Sequence, residues 1–283
     1  MIFLTRLTDF TWKQIKCCLF PAIIFCALGI TKFFPLPFIT RYDLLLLICL
    51  LTQILLIRYG FETFDELKVI MLFHLIGLGL EIYKVQMGSW SYPGSGFAVL
   101  LGVPLYSGFM YASVASYICR AFKEFQLRLE NWPNSFLAVG ICLLIYANFF
   151  THHFLPDIRY ILIVLVLLLF ARTHVYFTVS QKELKMPLSL AFLLIAFFIY
   201  LAENIASFFG AWSYPDQLAA WRPVHIGKIT SWFLLIIISI IIVAQLKKNK
   251  KVLDSFLLLN TKAENLWIFC LSNHLFKQSL FLT

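Results

Sequence analysis

Charge is scarce in this sequence. Asp, Glu, Lys and Arg together make up 13% of its 283 residues, where a water-soluble domain carries about a quarter. That scarcity excludes an exterior bathed in water on every side. Several short motifs are lacking too. There is no glycine-rich phosphate loop, no GxSxG nucleophile elbow, no dinucleotide fingerprint, no CxxCH haem attachment and no HExxH zinc pattern. No CxxC pair occurs among the seven cysteines (Cys17, Cys18, Cys26, Cys49, Cys119, Cys142 and Cys270), most of which lie inside apolar runs. They read as small hydrophobes, so neither a disulfide framework nor a zinc site follows.

What is present is apolar. Hydrophobic residues make up 61% of the chain, with 30 Phe and 7 Trp, and the mean hydropathy is +0.86. The formal charge of +9 is spread over short loops between apolar runs, as orientation signals are, and forms no aromatic-interleaved stripe that would track a nucleic acid. The expected class is an all-α polytopic membrane protein with membrane lipids as partners, in the bacterial inner membrane. Apolar runs long enough to be candidate spans fall near 16–35, 43–59, 66–84, 97–119, 134–151, 158–176, 187–206 and 226–246. The first follows a short basic start and lacks a small-residue cleavage site, so it reads as a retained helix.

Eight spans put both termini on one side. The loops on that side hold Arg58, Lys68, Arg120, Lys123, Arg128, Lys182 and Lys185, and the exit holds Lys247, Lys248, Lys250 and Lys251. The opposite loops hold Lys32, Arg41, Lys84, Arg159, Arg222 and Lys228. The positive-inside rule then makes both termini cytoplasmic. Residues 1–246 read as one membrane domain, and 247–283 as a basic, then apolar, cytoplasmic tail that is either interfacial or poorly ordered.

Two blocks repeat. Glu81–Pro93 reads EIYKVQMGSWSYP and Glu203–Pro215 reads ENIASFFGAWSYP, sharing Glu, Gly, Trp, Ser, Tyr and Pro at identical spacing. A fainter match, Phe33-Phe34 then LPFITRY against Phe149-Phe150 then LPDIRY, precedes them. The reading is a tandem duplication of four-helix units, about 16–120 and 134–246, in parallel orientation with sites at their interface. The additions that lack a counterpart, His152-His153 among them, are the better functional candidates.

Glu81 and Glu203 sit roughly 22–24 Å along their helices from the cytoplasmic end. An intramembrane acid normally faces a bundle interior or a wet cavity. Two alternatives stand: a carboxylate that bonds Tyr or Trp of the following loop, or a catalytic acid. Trp90, Tyr92, Trp212 and Tyr214 are candidates for an aromatic belt or for a substrate-binding pocket wall. His152, His153, Asp157, Arg159 and His225 lie near the same membrane face. They are candidates for acid–base catalysis (the three His) and substrate contact (Asp157, Arg159), with metal binding and a plain polar loop as the other readings. No metal or cofactor is assigned. His74 lies two turns before Glu81 on the same helix face, which would allow a proton path.

The blocks EIYKVQMGSWSYP, GVPLYSGFMYASVASYICRAF and NFFTHHFLPDIRY closely resemble the bacterial membrane family numbered 817 among the domains of unknown function (YoaT-like), over about residues 5–246. That family implies no activity to carry over. A weaker similarity links Glu81, Glu203 and the Gly-x-Trp-Ser-Tyr blocks to carotenoid-pathway membrane proteins of the lycopene cyclase and hydratase type, which implies carboxylate chemistry on polyene chains. Three functions stay open: a membrane-embedded enzyme acting on a lipid-soluble, isoprenoid-like substrate, a transporter or channel for a small solute, and a non-catalytic scaffold or sensor.

Overall fold

Apolar runs have to satisfy their backbone groups internally, and this chain does so mostly by forming helices. The computed structural model describes residues 2–244. In chain order the helices are α1 (Ile2–Cys17), α2 (Leu19–Phe33), α3 (Arg41–Arg58), α4 (Phe64–Gln86), α5 (Tyr106–Glu124), α6 (Ser135–Thr151), α7 (Arg159–Leu169), α8 (Leu188–Phe208) and α9 (Lys228–Ala244). Each of the eight expected runs overlaps one of α2 to α9. The expected tail, 247–283, lies outside the described residues.

Local sequence sets the helix starts. Thr63 and Glu66 form a reciprocal capping box at the head of α4, Thr40 accepts from the Asp43 N–H at the head of α3, and the Asn134 side chain accepts from the Phe136 N–H at the head of α6. Length is more restrictive than composition. Among the described residues, α4 (23 residues) and α8 (21 residues) are long and apolar enough to cross a membrane, and a third candidate arises if α1 and α2, which meet at 67°, act as one broken span. The described residues are therefore mostly helical with two or three candidate membrane spans.

Three sequence expectations are corrected here. First, α1 precedes the first expected run; its Thr5, Arg6, Asp9, Lys13 and Lys16 break the apolar pattern that marks a span, yet leave an amphipathic helix. Second, the run at 97–119 opens with a hairpin, β1 (Val99–Leu100) paired antiparallel with β2 (Val103–Pro104). Leu101 and Gly102 turn it with φ of 51° and 82°, so helix begins only at Tyr106. Third, the run at 158–176 stops being helical at Leu169. His174–Val179 is strand β4, and it sits between β3 (Arg128–Glu130) and β5 (Lys182–Pro187) in an antiparallel sheet of order β3-β4-β5. The Thr and aromatic residues of HVYFTV favour strand, and the β4–β5 turn is made by Ser180 and Gln181, both with positive φ.

α1 docks on this sheet. Lys13 donates to the Thr178 carbonyl at 2.8 Å and the Asp9 carboxylate accepts from the Ser180 N–H at 2.6 Å, while Phe10, Phe125, Leu127, Phe177 and Leu184 pack around Cys17 and Val179. α4 and α5 pack closely along their length. A Cβ on Gly77 would stand 2.3 Å from the Tyr111 ring, so this glycine lets Tyr111 lie across α4 toward Glu81. Arg41 ties α2 to α8, donating to the carbonyls of Leu28 (3.1 Å), Phe209 (2.7 Å) and Gly210 (2.9 Å).

Candidate functional site

Each repeated block folds as a carboxylate knotted by the aromatic residues that follow it. After α4 the chain turns at Gly88 (φ 68°) and after α8 at Gly210 (φ 70°), a left-handed conformation that glycine adopts without strain. The turns carry the Trp-Ser-Tyr segments back over the helix ends. Glu81 accepts from Trp90 Nε1 (2.7 Å) and the Tyr92 hydroxyl (2.7 Å) on Oε2, and from the Tyr111 hydroxyl of α5 (2.8 Å) on Oε1. Glu203 accepts from the Tyr214 hydroxyl on Oε1 and from Trp232 Nε1 of α9 (2.6 Å) on Oε2. Both carboxylates are buried, at 5% and 4% exposure. An indole N–H only donates, so each Glu is an acceptor at the oxygen it offers to Trp. Trp90 and Tyr92 for Glu81, and Tyr214 for Glu203, are the bonds that the loop-bonding alternative expects.

The two loops are joined at equivalent positions. Ser91 and Ser213 exchange both backbone hydrogen bonds, each at 2.9 Å, in an antiparallel bridge. Trp90 and Tyr214 meet edge to face at 6.0 Å. Lys228, the first residue of α9, points its ammonium at both rings, 4.4 Å from Tyr214 and 5.2 Å from Trp90, within the usual range for cation–π attraction.

The His pair meets a buried lysine. Lys84, one turn after Glu81 and 2% exposed, donates to the Phe149 carbonyl at 2.8 Å and lies 3.4 Å from His152 Nε2 and 3.1 Å from His153 Nε2. Its ammonium also stands 4.2 Å from the Phe149 ring centre. His152 is fixed through Nδ1 at 3.0 Å from the Phe149 carbonyl. Burial first, and then the charge on Lys84, pushes both imidazoles below their ordinary pKa, so neutral rings face the ammonium. Beside them Asp157 accepts from Asn148 (3.0 Å) and from Arg159 Nε (2.5 Å). Burial pushes its pKa up, but these donors and the arginine charge outweigh it and hold the carboxyl below its usual range. Arg159 continues to Ser231 of α9 at 3.1 Å.

These groups close one end of a cavity of about 920 Å³. Its charged lining is Glu81, Lys84, Arg159, Glu203 and Lys228, with His152 beside them. The rest is mainly apolar and follows α5 from Tyr111 to Phe125, about 20 Å at the helical rise per residue. It ends at residues such as Phe10, Leu129, Val175 and Phe177 of α1 and the sheet. Of the sequence-derived candidates, Glu81, Glu203, His152, Arg159, Trp90, Trp212 and Tyr214 line it. Tyr92 reaches it only through Glu81, and His153 and Asp157 stand behind Lys84 and Arg159. His225 is not brought to the cavity. Its ring is exposed and its Nδ1 accepts from the Gly227 N–H at 3.1 Å, so it shapes the turn into α9. Among the described residues no group of three or more His, Cys, Asp or Glu is arranged to hold a metal ion.

Comparison with known proteins places this arrangement in a family. The family described as "Protein of unknown function (DUF817)" matches residues 6–240. The chain belongs to that family. It is 56% identical over 246 residues to the uncharacterised protein YoaT of Bacillus subtilis (strain 168), spanning 87% of this chain and 93% of that protein. A chain from a crystal structure of a cross-linked MvINS trimer is 12% identical with a TM-score of 0.43, covering 64% of this chain and 92% of that one. At that score the likeness carries no argument.

In this DUF817 chain the site residues that the sequence did not single out are Lys84, Lys228, Tyr111 and Trp232. Lys84 and Lys228 were counted as outer-loop charges, whereas they lie within α4 and α9. The signal for Lys84 is a cation a single turn beyond an acid set inside an apolar run. Tyr111 and Trp232 carry no local signal, because each reaches its carboxylate from the next helix.

Proposed function

We propose that this protein is a multi-pass protein of the bacterial inner membrane whose cavity takes a lipid-soluble substrate and performs acid–base chemistry on it. The observation that carries this reading is the cavity itself: an apolar channel about 20 Å long by the helical rise, with all of its charged lining at one end. That form suits an apolar chain better than a hydrated solute. The His152 ring, neutral and 3.4 Å from the Lys84 ammonium, is the best placed proton acceptor, with Lys84 as its exchange partner. Glu81 and Glu203 shape the wall through their aromatic donors and flank Lys228.

The same reading takes α2 to α9 as eight crossings in two tandem four-helix units with both termini cytoplasmic. Its support is the charge distribution of the loops, the matched Tyr92–Glu81 and Tyr214–Glu203 bonds, and the bridge between the equivalent Ser91 and Ser213. The shorter α6, α7 and α9 would cross with help from flanking polar loops and local thinning.

The test is a mass-spectrometric comparison of lipid extracts from host cells carrying the intact protein or a His152→Gln form at equal membrane abundance. A lipid that accumulates or disappears only with the intact protein supports the enzyme and gives its substrate class. Identical extracts with lipid still copurifying would leave binding without chemistry, and the reading as an enzyme would be withdrawn.

A further inference from the structure

We infer that the charged end of the cavity binds the anionic head, a phosphate or carboxylate, of an amphipathic molecule whose hydrocarbon tail lies along α5. This rests on the reading of the cavity as a site for a lipid-soluble molecule and goes on to specify the chemistry of its head.

The argument is a comparison of signs within one cluster. Lys84, Arg159 and Lys228 all line the cavity, as do two carboxylates. The carboxylates are already engaged: Glu81 by three aromatic donors and Glu203 by two. Arg159 is paired with Asp157. Lys228 forms no ion pair among the described residues; it lies against two aromatic faces with Glu203 and Glu81 as its electrostatic counterweights. Lys84 has only Asp157 as a counterweight, and that carboxylate is already paired with Arg159. Among the described residues it has no carboxylate within ion-pair distance, and its partners are a carbonyl, two imidazoles and a ring face. A buried lysine with no carboxylate in ion-pair contact is costly, and it faces a cavity whose wall beyond the charged end is mainly apolar. A carboxylate or phosphate set between Lys84 and Lys228 would receive charge-assisted bonds from both, with Arg159 close by. The aromatic edges of Trp90 and Tyr214 would flank it, and the neutral His152 ring would neither add nor remove charge. A head group of positive sign would instead confront Lys84 with only the Arg159-paired Asp157 to offset it.

The test uses the full chain in maltoside micelles and reads quenching of the cavity tryptophans (Trp90, Trp212, Trp232) by lipids brominated in the acyl chain. Phosphatidic acid and diacylglycerol with identical chains are compared, and glycerol 3-phosphate is added as a competitor. Expected is saturable quenching, with phosphatidic acid half-saturating at about tenfold lower concentration than diacylglycerol, the effect of one or two charge-assisted contacts. Lys84→Met should remove that preference and leave diacylglycerol quenching unchanged, and Lys228→Met should reduce it. Equal half-saturation by the two lipids would overturn the anionic head while the lipid cavity stands. No saturable quenching by either lipid would overturn the cavity reading itself. Displacement of phosphatidic acid by equimolar glycerol 3-phosphate would make a free phosphate the ligand and remove the tail from the proposal. If Lys84→Met does not fold, the two lipids on the unaltered chain still decide the matter.

Discussion

The Glu81 knot and the Glu203 knot start from the same spacing and end differently. In both, a glycine with positive φ ends the helix, and a tyrosine eleven positions after the acid returns to bond it. In the first, Trp90 also bonds its own Glu81. In the second, Trp212 turns to the cavity wall and Trp232 of α9 supplies the indole donor. The first acid therefore holds three donors and the second two. What the knots share is architecture, the closing of a loop over a helix end. What they do not share is the chemistry next to them. Position for position, Lys84 corresponds to Ala206 in the second block, and the His152-His153 pair has no counterpart in the first. The groups that differ gather beside the two matched knots, and they are where function is to be sought.

The largest test of this comparison is removal of the acids. Glu81→Ala leaves three donors without an acceptor and should cost about 3–5 kcal/mol, against about 2–3 kcal/mol for Glu203→Ala; thermal unfolding in detergent measures both. Equal losses would make the knots equivalent and erase the distinction. Next in size is Gly77→Ala, whose new methyl would stand 2.3 Å from Tyr111. It should cost about 1–3 kcal/mol by overpacking, loosening the first knot and not the second. The glycine pair sharpens the symmetric half of the comparison. Gly88→Ala and Gly210→Ala should each cost about 1–2 kcal/mol, because both force a side chain into left-handed backbone.

The asymmetric half predicts a pH dependence. His152 and His153 titrate below their ordinary value of 6.5. The groups facing them are Lys84 and, more distantly, Asp157, with Ser89 against His153. Below about 6.5 the unfolded chain takes up protons that the folded imidazoles resist. Stability is therefore flat above that pH and falls as pH drops through the window beneath it. Lys84→Met, which removes one cause of the depression, should narrow the window in unfolding curves taken between pH 5 and 7.5. The smallest effect belongs to His225→Ala, an exposed ring outside the cavity. It should shift stability by about 0.5 kcal/mol or less and leave the proposed lipid binding unaltered; a change in binding would return His225 to the site.

How far all this was legible varies with the distance over which the signal acts. Apolar runs and capping residues such as Thr63 are local, and helices overlap all eight expected positions. The Glu–Gly–Trp-Ser-Tyr blocks were readable because a helix end, a glycine turn and a returning aromatic lie within thirteen residues of one another. The sheet was not, since β3 finds its partner only beyond two intervening helices and the charged residues of β5, Lys182, Glu183 and Lys185, resemble a solvated loop. Lys84 and Lys228 escaped for a different reason: a lysine near the edge of an apolar run has the same composition whether it snorkels outward or turns in. His225 was misplaced because nearness to a helix start does not say which way a ring faces.

The β3-β4-β5 sheet has a further consequence for how the chain is made. β3 leaves the ribosome long before β4, with the whole of α6 and α7 to be synthesised in between, and α1, which docks on β4 through Lys13 and near it through Asp9, waits longer still. During that interval β3 presents an unpaired edge and α1 lacks its docking surface. Closing the sheet is thus a late event of synthesis that joins the earliest helix to the later ones, and a chain halted between α6 and α8 would have its first half translated but unlatched.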